Sequence, residues 1–333
     1  ALWSLCLAEG DGAAAVDATP GAVAALAGML AESDTDVAED SSVDKDTPSA
    51  DSSDVSDASS AVDAAQARAA AAGALGAVFS GAAASRDPER RLRCASAAFD
   101  VEGAARGFAE VMLGSDDDGA LAAAAAGAAA TRMPAGAVRV AAAESLLSAL
   151  CAAAVGGTGE TVRSDRVGAG GTGAARANAE ASDEEESDAT RELSRRGKEN
   201  DASGSSAAGT SAADTAARAA DALANLAAHA ASVEVLAASP TASTAWLDAA
   251  TRLCASRRPE TRAASVRAVR SYLRAAPPGS FSDSTSGVDA RVTAALVRAI
   301  AARLSDPDEL LSTRVDAAGC ASSLAAGAGV VAG

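Results

Sequence analysis

Residues 217–228 read "ARAADALANLAA". Alanine dominates the stretch, and alanine is the strongest helix former. One amide, Asn225, interrupts its apolar end. A buried amide without partners costs about 1–3 kcal/mol, so a helix built only for a core would avoid it. The stretch reads as a helix with one packed face and one face that meets something polar.

The same small-small-x-small-apolar pattern returns along the chain. Residues 71–78 read "AAGALGAV" and residues 317–324 read "AAGCASSL". The chain opens with "ALWSL", the tail of the pattern, and 142–148 ("AAESLLS") and 265–272 ("SVRAVRSY") fit more loosely. A second unit has a short helix, a break and a longer helix. It is carried by 10–30 ("GDGAAAVDATPGAVAALAGML"), 98–113 ("AFDVEGAARGFAEVML") and 232–254 ("SVEVLAASPTASTAWLDAATRLC").

Together these units resemble armadillo repeats, with HEAT repeats as the structural alternative. In the armadillo family a short, a second and a longer third helix form a unit of ~40–47 residues. The third helix ends in a motif similar to "ALANL" at 222–226 and "ALWSL" at 1–5. Leu223 to Val269 spans 46 residues and Val269 to Ala321 spans 52, near one period. The resemblance implies an all-α fold, an armadillo-type α-solenoid coiled as a right-handed superhelix, with third helices lining a concave groove. It further implies that Asn225 faces that groove and clamps the backbone of an extended peptide. The equivalent positions hold Ser4, Ala77, Ser148, Ser271 and Ser323, so the family's ladder of Asn residues is incomplete. Trp3 precedes Ser4 and joins the groove candidates, whereas Trp246 reads as core.

Two segments do not fit a core. Residues 31–63 carry eleven acidic residues against one lysine, net −10, and 155–213 carry eleven against seven basic residues, net −4. Neither has enough apolar surface to offset the entropy of ordering, so both are expected to be disordered acidic insertions. They hold most of the chain's net charge of −17. The resulting division is 1–30 (partial repeat), 31–63 (insertion), 64–154 (repeats with loop extensions around 81–93 and 114–136), 155–213 (insertion) and 214–333 (repeats).

Arginines mark a second groove feature. Residues 252–274 carry seven arginines against Glu260, net +6. Val266, Val269 and Leu273 form one helical stripe, and Arg267, Arg270 and Arg274 form another beside Ser271. Such a stripe favours carboxylates or phosphates.

Other motifs do not build chemistry. "GAGGTG" at 168–173 lacks the strand and helix that a dinucleotide fingerprint requires. His229 is the single histidine, so no His-based metal cluster or triad is expected, and no cofactor or metal is expected at all. It follows a helix end, where partial positive charge is favoured. The five cysteines, Cys6, Cys94, Cys151, Cys254 and Cys320, form no CxxC pair and read as free buried thiols in a reducing compartment. Ser182 before "DEEE" is a candidate phosphosite, and "KEN" at 198–200 resembles a short degradation signal. No stretch reads as a membrane span. Aromatics are 2% of residues, too few for base stacking, which argues against nucleic acid.

The expected function is a non-enzymatic scaffold, cytoplasmic or nuclear, that binds extended and acidic protein segments, with no small-molecule substrate. The alternative is the substrate-binding region of a larger enzyme such as a U-box ubiquitin ligase. The chain begins at Ala1 in mid-pattern, which reads as a fragment.

Overall fold

In the computed structural model the described residues are 12–31, 54–114, 116–156, 212–277 and 288–329, with side chains described at 12–31, 62–114, 116–156, 212–277 and 288–326. Among them there are fourteen helices and no strand. In chain order they are α1 (Gly12–Ala18), α2 (Ala22–Ala31), α3 (Asp54–Ala84), α4 (Pro88–Phe99), α5 (Ala104–Leu113), α6 (Asp117–Thr131) and α7 (Pro134–Ala142). They continue as α8 (Glu144–Gly156), α9 (212–228), α10 (Ala230–Ala238), α11 (Pro240–Cys254), α12 (Pro259–Ala275), α13 (Ala290–Ser305) and α14 (Leu311–Gly329).

Turn chemistry in the sequence sets the breaks. Proline stands at the start of α4, α7, α11 and α12, the one helical position where its missing N–H costs nothing. Asp87, Asp116 and Ser239 cap helix starts by accepting from the backbone N–H of Glu89, Gly119 and Ala242 at 2.9, 3.0 and 3.3 Å. The short first helices turn sharply into the second: 94° between α1 and α2, and 95° between α7 and α8.

Packing follows a step of three. α2 packs on α5, α5 on α8 and α8 on α11; α4 packs on α7 and α7 on α10; α3 packs on α6. α13 and α14 then pack on α11 and α12. α3 and α6 run parallel, since Gly119 lies against Ala69 and Gly76 against Ala126. Small residues permit this closeness. A Cβ on Gly107 would sit 1.8 Å from the carbonyl oxygen of Leu30, and one on Gly136 would sit 2.2 Å from that of Ala130.

About half of the buried apolar residues are alanine, and aromatic residues anchor two places in the rest. Phe79 stacks on Phe99 at 5.9 Å between centroids, and Phe99 meets Phe108 at 6.1 Å. Trp246 stacks on Tyr272 at 4.8 Å, donates from Nε1 to the Leu223 carbonyl at 3.1 Å, and is fully buried. Its place in the core of a second-position helix agrees with the sequence reading.

Three boundaries differ from the sequence reading. α3 begins at Asp54, ten residues inside the stretch assigned to the first insertion. No glycine or proline occurs from Ser49 to Ala72, so nothing stops the helix, and acidic residues are favoured in its first turns. The supposed loop extensions are helix: α4 covers 88–93, and α6 fills most of 114–136 and packs on α3 as a third-position helix. Ser148 accordingly lies on α8, a second-position helix. Residues 122–130 are alanine with one glycine and carry no large residue to mark a packed face, so α6 left no periodic trace. The remainder of the two insertions, 32–53 and 157–211, lies outside the described residues.

Residues 62–84 of α3 are long and apolar enough to cross a membrane by length and composition, and 44% of that window is buried inside the protein. This departs from the reading that no stretch qualifies: the span holds Asp63 and Arg68, so no long uncharged run marks it.

Candidate functional site

α9 carries Asn225 on its last turn, half-buried and facing α6. Its Nδ2 donates to the Ala128 carbonyl at 3.2 Å and lies 3.4 Å from the Thr131 hydroxyl. His229 Nε2 lies 3.1 Å from the Thr131 carbonyl. The last carbonyls of a helix have no partner within it. Asn225 and His229, the residue between α9 and α10, therefore supply polar contacts to the end of α6, and Thr131 bonds back to Gly127 and Ala128 at 2.9 and 3.0 Å. This gives the amide at 225 a structural occupation within the chain.

The arginine stripe lies one helix further on. Val266 and Val269 are buried against the core. That orientation turns Arg267, Arg270, Ser271 and Arg274 together into one recess of ≈ 450 Å³, closed by Ala227, Ala228 and Asp316. Four of the predicted site residues are thus brought together, while Asn225 lies two residues before the Ala227 wall. Trp3, Ser4 and Ser182 lie outside the described residues.

Asp316, on α14, is the member that sequence reasoning missed. Its Oδ1 accepts from Arg270 Nη1 at 2.6 Å, and its Oδ2 lies 3.6 Å from Arg267 Nε. Gly319 makes room for this arm: a Cβ there would meet Arg270 Nε at 2.6 Å. A lone Asp in "TRVDAAGC" carries no sequence signal, since its pairing depends on the register between α12 and α14. Arg267 is 68% exposed, so its pair with Asp316 is worth little. Arg274 is exposed and makes no ion pair among the described residues. Three guanidiniums against one carboxylate leave the recess electropositive, with unused N–H donors suited to an anion.

A separate cluster is structural. Glu309, its side chain fully buried, accepts from Arg262 Nε at 2.7 Å and Arg303 Nη1 at 3.0 Å. Arg262 Nη1 also donates to the Ser256 and Arg257 carbonyls at 3.0 and 3.1 Å. Burial pushes the Glu309 carboxyl up, but the two arginines outweigh it and hold the group below the usual carboxylate range. This locks the α13–α14 turn onto the start of α12.

Cys94, Cys151, Cys254 and Cys320 are free and buried. Burial raises the thiols of Cys94, Cys151 and Cys320 to about 12 and that of Cys254 to about 11. Cys94 also donates to Asp17 Oδ1 at 2.7 Å, beside the 2.5 Å Arg90–Asp17 pair. No group of His, Cys, Asp and Glu among the described residues is arranged to hold a metal ion.

No protein-family model matches the chain, and no curated protein matches it in sequence. Among solved structures it is similar to two crystal structures of engineered proteins from the Northeast Structural Genomics Consortium. One aligns over 98% of this chain and 96% of its own, at 15% identity and a TM-score of 0.45. The other aligns over 97% of this chain and 77% of its own, at 14% identity and a TM-score of 0.34. At that level of similarity neither bears on function.

Proposed function

We propose that this chain is an armadillo-type α-solenoid acting as a non-enzymatic scaffold, inside the cell, that binds extended acidic segments of partner proteins. The single observation that carries the binding reading is the gathering of Arg267, Arg270, Ser271 and Arg274 in one recess opposed by Asp316 alone. The solenoid reading is supported by the step-of-three packing and by the near-perpendicular first and second helices. Helical repeats stacked in this way offer extended binding surfaces.

The test is fluorescence anisotropy with a nine-residue peptide carrying three glutamates at low salt. Arg267→Ala with Arg274→Ala should weaken binding at least tenfold, and raising salt should do the same as the screening length falls to ~3 Å near 1 M. Unchanged affinity in the double variant removes the reading.

A further inference from the structure

A second cavity, of ≈ 250 Å³, opens on the same α9–α12 seam, toward the helix starts. Its walls are mostly apolar: Ala220, Leu223, Ala264 and Ala268, with Trp246 and Leu253 behind them and the hydroxyls of Thr261 and Ser265 among them. Asp221, Arg258 and Glu260 stand around it. The volume falls below the roughly 300–1,000 Å³ of small-molecule sites. It exceeds the ~150 Å³ that suffices for benzene, so it has room for one large apolar side chain.

The two recesses share one face of each helix. On α12 the positions Glu260, Ala264, Arg267, Ser271 and Arg274 follow each other at spacings of three and four, the spacing of a single helical stripe. Ala264 lines the apolar recess and Ser271 the basic one. Seven residues separate them, about 10 Å of helix. On α9 the same interval separates Ala220 from Ala227, which line the two recesses in the same order.

We propose that this seam is a bipartite docking site for a partner segment carrying one large apolar side chain three positions from an acidic residue. The apolar side chain enters the recess before Trp246, and the carboxylate meets Arg267 and Arg274. A polyproline II segment has three residues per turn and rises about 3.1 Å per residue, so residues three apart lie on one face, about 9 Å from each other. That matches the interval between the recesses. The excess positive charge at one end and the apolar walls at the other select this occupant over a purely acidic one. This inference rests on the acidic-segment reading above and specifies its partner.

The experiment compares nine-residue peptides carrying Phe-x-x-Glu and Glu-x-x-Phe, their Phe→Ala counterparts, and their Glu→Gln counterparts. Binding is followed by anisotropy on the wild type, on Ala264→Phe and on Arg274→Ala. Ala264 is exposed, so the larger ring covers the recess without entering the core, and a thermal melt checks that the fold is kept. One Phe-containing order should bind at least about tenfold tighter than its Phe→Ala counterpart, the factor expected for burying a large apolar side chain. Ala264→Phe should erase that advantage, and Arg274→Ala should weaken every Glu-containing peptide. If Phe adds nothing on the wild type while Glu still matters, the bipartite site is wrong and the acidic reading stands. If the advantage survives Ala264→Phe, the apolar anchor lies elsewhere and the proposal falls. If no Glu-containing peptide binds, both readings fall.

Discussion

The amide of Asn225 donates to the carbonyl of Ala128, 3.2 Å away and 97 positions earlier in the chain. It joins the last turn of α9 to the last turn of α6. Asn225→Ala should therefore cost about 1 kcal/mol in urea denaturation, the typical worth of one such bond. A midpoint indistinguishable from wild type would show that the amide is free for a ligand, as the family resemblance alone implies.

Two glycines in helices should respond with opposite signs. Gly107→Ala drives a methyl into the Leu30 backbone, which cannot swing aside, and should lose about 3 kcal/mol by overpacking. Gly28→Ala meets nothing within 4 Å and should gain about 0.5–1 kcal/mol from helix propensity. Equal effects in paired thermal melts would contradict the α2–α5 approach.

Glu309 makes part of the stability acid-sensitive. Its carboxyl lies below its ordinary value in the fold, so its contribution is complete above the unfolded value of ~4.3. That contribution fades as pH falls through the lower folded value. Glu309→Gln should cost about 3 kcal/mol near pH 7, since it removes the one buried charge that two half-buried arginines share. The gap to wild type should shrink below pH 4. A gap that stays constant to pH 3 in urea melts would refute the assignment.

The four described cysteines should resist a thiol reagent at pH 8. Their thiols titrate at about 11 to 12 in the fold, far above the ordinary value of ~8.5. The native protein should therefore release no more than one equivalent of chromophore, from Cys6, and unfolding should release all five. Raised folded values also mean that stability falls as pH climbs from ~8.5 toward those values. Fast native labelling of two or more thiols would be incompatible with this packing.

Asp316→Asn should release Arg270 from its 2.6 Å partner and raise the affinity for an acidic peptide about threefold, the scale of one partly exposed ion pair. Weaker binding in a folded variant would mean that Asp316 positions the arginines rather than competing for them.

Much of the helix order was legible because local chemistry announces it. The short-break-long units fell where the sequence placed them around 10–30 and 232–254, and the structure shows proline starts and Asp or Ser caps at several of the breaks. The stripe of Arg267, Arg270 and Arg274 was equally legible, because three buried or half-buried residues on α12 orient the rest of that helix. The third-position role of α6 was not, because a run of alanines looks alike from every side and only the contact with α3 selects its face.

Composition and local propensity alone determined that this chain is helical, nearly free of aromatics and punctuated by proline. Tertiary structure alone decided that Asn225 serves the end of α6, that Asp316 answers Arg270, and that two recesses share one seam. These depend on the register between helices dozens of residues apart. With alanine supplying about half of the buried apolar residues, that register is set by where backbones meet at Gly107 and Gly76, which no local pattern displays.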